Sequence, residues 1–106
     1  MIEIRPLDTL TTPRECALKL LEEASEACEA IKRHDKVDGW ETYKEALYEL
    51  ADVEQCVCNC LHALNASMSD FEIAVDDMQE HNKERGRNDV SGARTMGIIW
   101  YFQSVQ

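Results

Sequence analysis

Two long stretches of helical periodicity, joined by a few residues, set the tightest limit on how this chain can fold. In the first, Ala17, Leu20, Leu21, Ala24, Ala27, Cys28 and Ile31 recur at steps of three and four. In the second, Tyr43, Ala46, Leu47, Leu50, Ala51, Val53, Val57, Cys58, Leu61 and Leu64 do the same. Such spacing lines up side chains along one helix face. Only the loop HDKVDG separates the two stretches, and a connection that short makes long helices antiparallel neighbours. A third, shorter pattern carries Phe71, Ala74, Val75 and Met78. The spacing predicts helices over about 13–33, 40–65 and 70–84.

Start signals agree with these limits. TPRE at 12–15 offers a capping Thr, a Pro at the first helical position and a Glu that can return a hydrogen bond to the cap. DGWE at 38–41 and SDFE at 69–72 repeat the cap-x-x-Glu arrangement. RGRND then breaks the pattern at Gly86. The expected fold is therefore all-α, an antiparallel bundle of three to four helices. With 106 residues, one domain over 1–106 is expected, its core at about 13–87. The tail TMGIIWYFQSV is apolar without helical alternation. It suits a strand, a last helix, or an extended arm at a dimer interface, and an exposed strip of that kind asks for a cover. Residues 88–106 are thus a possible interface, and the bundle is expected to be completed by dimerisation.

The formal charge of −10 argues against nucleic-acid polymers, which need a basic footprint, and against anionic membranes. No apolar run approaches a membrane span, and MIEIRPLDTL lacks the layout of a signal peptide. Five cysteines in no disulfide spacing fit reduced thiols and a cytoplasmic setting. The sequon at Asn65–Ser67 then carries no meaning.

The acids raise the functional question. Glu22, Glu23 and Glu26 share one arc of the first helix; Glu45, Glu49 and Asp52 share one arc of the second. If the helices pack antiparallel, four or more carboxylates converge, and hard oxygen ligands select Mg²⁺, with Mn²⁺ as the usual substitute. The competing reading is a wet surface, since Glu is a good helix former and both acid arcs lie largely opposite the apolar stripes. A di-iron carboxylate bundle is discarded, because it wants Glu-x-x-His and none of His34, His62 or His81 has a Glu three residues before it.

Taken together, LLEEASEACEAI, KEALYELADVEQCV and MQEHNKERGR resemble the MazG-like all-α nucleoside triphosphate pyrophosphatases. The family's mark is an ExxE pair followed, after a variable gap, by an ExxD pair. Here these are Glu23 and Glu26 in EASE, and Glu49 and Asp52 in ELAD. The resemblance spans about 14–87. It implies Mg²⁺-dependent cleavage of a (deoxy)nucleoside triphosphate to the monophosphate and pyrophosphate, for nucleotide-pool control, by a homodimer or homotetramer. It implies Glu23, Glu26, Glu49 and Asp52 as metal ligands, with Glu22 on the same arc orienting water or holding a further ion. It also implies that Lys83 and Arg87, in a basic cluster with Arg85, hold the phosphate tail. Asn82 would bond sugar or phosphate. The plain alternative for the cations is a helix C-terminus whose dipole favours them.

Trp40 and Tyr43 are placed to stack on a base, or to serve as core or dimer residues. In CVCNC, Cys56 and Cys60 share a face and Cys58 points away, which suits small core packing better than a zinc site. Glu54 falls in the apolar arc of the second helix, paired with a cation or part of the site. His62 and His81 read as surface or interface residues. A second class of function stands beside the hydrolase: a non-catalytic helical dimer that binds a protein partner or senses a nucleotide.

Overall fold

The computed structural model describes residues 2–8, 12–87 and 98–100. The fold is all-α apart from one small strand pair. In chain order the elements are β1 (Ile2–Ile4), α1 (Pro13–Lys36), α2 (Trp40–Ala63), α3 (Met68–Glu84) and β2 (Ile98–Trp100). Among the described residues no helix is long and apolar enough to cross a membrane.

Local chemistry sets the helix limits. Thr12 caps α1: its hydroxyl accepts the Glu15 amide at 3.2 Å, and the Glu15 carboxylate accepts the Thr12 amide at 3.3 Å. We expect Thr12→Ala to cost about 1 kcal/mol in chemical denaturation, because the Glu15 amide loses its side-chain partner. The expected cap at Asp38 gives way to Gly39. Thr42, one turn inside α2, reaches back to accept the Gly39 amide at 3.2 Å and to bond the Val37 carbonyl at 2.7 Å. That hydroxyl does the work a capping Asp would have done. The third cap is Ser67 rather than Ser69, and it exchanges hydrogen bonds with Asp70. Ser-x-x-Asp, two residues earlier, wins over Ser-x-x-Glu. At the far end of α2, Asn65 takes φ 54°, and the Ala66 and Asn65 amides return to the Leu61 and His62 carbonyls. Gly86 (φ 72°) closes α3 the same way. Both are left-handed stops: Gly86 has no Cβ to clash, and Asn65 is of the short polar type that tolerates this conformation.

α1 and α2 form an antiparallel hairpin. Near the loop, His34 Nδ1 lies 2.8 Å from the Thr42 hydroxyl, and Arg33 pairs with Glu45. At the open end the Cys16 thiol meets the Asn59 carbonyl at 3.8 Å. The seam is built from buried or half-buried residues at alternating steps of four and three: Cys16, Leu20, Glu23, Ala27, Ala30 and His34 on α1, and Thr42, Ala46, Glu49, Val53, Cys56 and Cys60 on α2. This is coiled-coil spacing, filled mainly by small residues that let the backbones approach.

The seam corrects the expected stripe on α1. Leu21 is 69% exposed, and Ile31, Cys28 and Ala17 are exposed too. They sit about 100° round from the seam. On α2, Tyr43, Leu47 and Leu50 hold the equivalent flank, also exposed. In an antiparallel pair these flanks fall on the same side of the hairpin. The acids are consequently not opposite the packed face, since Glu23 lies in it.

The first residues run along α2. Gln55 Nε2 donates to the Arg5 carbonyl at 2.7 Å, the Leu7 amide donates to Asn59 Oδ1 at 3.0 Å, and the Cys58 thiol approaches the Ile4 carbonyl at 3.7 Å. These bonds satisfy extended backbone that lacks a full sheet. β1 pairs in parallel with β2, Ile2 opposite Ile98 and Ile4 opposite Trp100. The N-terminal strand is absent from the sequence reading, and part of the apolar tail turns out to be its partner. The remainder of the tail, at 88–97 and 101–106, lies outside the described residues. Among the described residues α3 has no extensive packing against the hairpin.

Candidate metal centre

Helix phase and the antiparallel seam bring both acid pairs together about half-way along the hairpin. Glu22, Glu23 and Glu26 each offer a carboxylate oxygen, all within 4.8 Å of one another. Glu23, Glu49 and Asp52 form a second such group under the same limit. Glu23 belongs to both and joins the helices. All five acids expected at the site therefore meet there. Glu45 stands apart, because Arg33 neutralises it across the seam. Neither group includes Glu54, which is half-buried elsewhere on α2.

Burial distinguishes this cluster from a wet acidic surface. The Glu23 side chain is 9% exposed. Its Oε1 takes the Lys19 ammonium at 3.0 Å, while its Oε2 is buried with no hydrogen-bond partner. Glu49 Oε2 is likewise buried and unpartnered. A buried carboxylate oxygen without a donor has lost its water for nothing in return. Glu22 and Glu26 stay exposed at the lip. Glu26 is pushed above the ordinary carboxylate range, first by the negative charge of Glu23, then by burial and by Glu49.

The donor set is made of carboxylate oxygens, which fit a hard dication such as Mg²⁺ or Mn²⁺. Glu23 and Glu49, the two acids with an orphaned oxygen, both belong to this cluster, and a dication there would compensate their buried charge. Cys56 lies near enough to Glu23 and Asp52 to feel their charge; burial, more than these, raises its thiol. It is a packing residue beside the acids, and Cys60 repeats it one turn on. All five thiols are free.

The other expected site residues do not join the cluster. Trp40 opens α2 and is 67% exposed. Its ring lies 5.8 Å from that of Tyr43, with the Lys44 ammonium 5.7 Å above it. It lies nine positions before Glu49, about 13 Å along the helix. Asn82, Lys83 and Arg87 sit at the end of α3, and among the described residues no ion pair links them to the acids. His81 pairs weakly with Glu84 at 3.8 Å, while His62 Nδ1 is buried without a partner. The sequence reading missed Lys19. Its signal was present, since Lys19 lies three residues before Glu22 and four before Glu23, the spacing of helical ion pairs.

No family model matches the chain, and no curated protein or solved structure shows significant similarity to it.

Proposed function

We propose that this protein is a Mg²⁺-dependent nucleoside triphosphate pyrophosphohydrolase of the MazG-like all-α kind. In this reading it releases the monophosphate and pyrophosphate and serves nucleotide-pool control in the cytoplasm. The observation that carries the reading is Glu23, a buried carboxylate with one unpartnered oxygen, in a group with Glu49 and Asp52 whose ligand oxygens lie within 4.8 Å of one another. A chain that strips a carboxylate of water inside a like-charged cluster gains most when a dication arrives.

In the proposed reaction, water adds to a phosphorus of the triphosphate and pyrophosphate departs. Bound Mg²⁺ supplies charge neutralisation for the polyanion and lowers the pKa of the attacking water. Glu23, Glu49 and Asp52 would hold the ion from both helices, and Glu26 would complete the set from the lip. Glu22, exposed beside them, orients water. Lys83, Arg87 and Asn82 receive the phosphate tail, and Trp40 stacks on the base. These last roles ask for α3 to come to the acids, and a second copy supplies a route. The unpacked α3 and the exposed flank of Leu21, Ile31, Tyr43, Leu47 and Leu50 support a four-helix bundle completed by a homodimer or homotetramer.

The same exposed flank favours one alternative, a non-catalytic helical module that binds a partner protein. Pyrophosphate release from a panel of NTPs and dNTPs, with Mg²⁺ and with chelator, tests the choice. We expect metal-dependent release from at least one nucleotide. No turnover of any, with no heat of Mg²⁺ binding by calorimetry, leaves only the partner-binding module.

A further inference from the structure

Lys19 is the one cation bonded into the acidic cluster among the described residues. Its ammonium lies 3.0 Å from Glu23 Oε1 and 3.7 Å from Glu22 Oε2. A single turn of helix fixes this placement, for Lys19 precedes both acids at ion-pair spacing. The Lys19 side chain is itself largely exposed, so it can leave the cluster by rotating about its own bonds, with no change in the backbone. Glu23 cannot leave, because it is locked in the seam. The Glu23 oxygen that Lys19 occupies belongs to the carboxylate shared by both acid groups.

A dication gripping Glu23 would sit within a few ångström of that ammonium, and two cations so close repel. We propose that Lys19 is a resident counter-ion of the empty centre, which competes with the metal for Glu23 and thereby sets the metal affinity. The inference rests on the metal reading above and adds to it a residue that neither the ExxE nor the ExxD pair contains. Held this way, the metal-free cluster keeps its geometry without collapse or splaying. When metal enters, Lys19 swings out to solvent with its charge unchanged. The centre is then kept loadable and exchangeable instead of permanently filled.

The test uses the metal alone. Mn²⁺ binding is titrated calorimetrically and by electron paramagnetic resonance for the wild type, Lys19→Met, Lys19→Gln and Lys19→Arg, each checked for helix content by circular dichroism. Removing the competing charge should tighten Mn²⁺ binding roughly tenfold in Lys19→Met and Lys19→Gln. Lys19→Arg keeps the charge and should stay near the wild type. A purely structural Lys19 would weaken binding in all three. In the wild type, acetylation of Lys19 by an active ester should rise when Mg²⁺ is added, read by mass spectrometry against the other lysines. Wild-type binding with Lys19→Met and Lys19→Gln no tighter overturns the inference and leaves the centre intact. No Mn²⁺ binding by the wild type or any variant overturns both.

Discussion

Glu23→Gln is expected to raise the melting temperature of the metal-free protein while removing pyrophosphate release. The native carboxylate is buried, has one oxygen without a partner, and faces Glu26, Glu49 and Asp52. Removing its charge relieves repulsion inside a region where water cannot screen it. The amide gives up the Lys19 pair, but that ammonium sits on the exposed side of the cluster and offsets only part of the repulsion from three neighbouring carboxylates. A gain near 1 kcal/mol would move the midpoint by about 4–8 °C in a domain of this size. In the proposed reading, activity falls by a hundredfold or more, since a shared ligand has gone. Thermal denaturation with chelator checks the first half and pyrophosphate release checks the second. A lower melting temperature in chelator would mean that Glu23 stabilises the empty fold, and the strained-centre account would fail.

The second large effect is expected at Ala30, which is 1% exposed in the seam. Ala30→Leu forces a branched side chain between two helices that meet through small residues. Overpacking of this kind costs about 1–3 kcal/mol. The damage should extend beyond stability, because a wedge there moves α1 from α2 and parts Glu23 from Glu49 and Asp52. Denaturation should show the loss, and Mn²⁺ titration should show weaker binding. Ala17→Leu is the control. Ala17 is exposed on the flank, so the same enlargement should leave stability and metal binding close to native. Equal effects at both positions would mean that the seam does not govern the centre.

Much of this architecture was legible in the sequence because it is local. The cap at Thr12 and the short connection between the two apolar patterns are short-range chemistry, and the two long helices follow, with α1 running to Lys36, three residues past its expected end. The five acids of the cluster were legible too, since helix phase alone groups Glu22, Glu23 and Glu26, and a short loop forces Glu49 and Asp52 toward them. The seam was misread for a physical reason. Leu21 and Ile31 carry more apolar surface than Ala27 and Ala30, so hydropathy points to the flank. Close helix approach instead selects small residues, and that leaves the large ones outside for want of a partner within the chain. Reading the arc one step round also made Glu23 look solvated. β1 could not be read, because three residues of strand have meaning only through a partner nearly a hundred positions away. Lys19 was overlooked because ion-pair spacing is common on helices and the count of acids drew attention from the base among them.

The parallel pairing of β1 with β2 has a consequence for assembly order. Residues 2–4 and 98–100 must find each other across almost the whole polymer, a slow search with a high closure entropy. The hairpin that carries the acids needs only neighbouring stretches and can form well before that search ends. Hydrogen exchange should therefore find the amides around Glu23 and Glu49 protected earlier in refolding than those of Ile2–Ile4, with the acidic nest built first and the strand clasp fastened last.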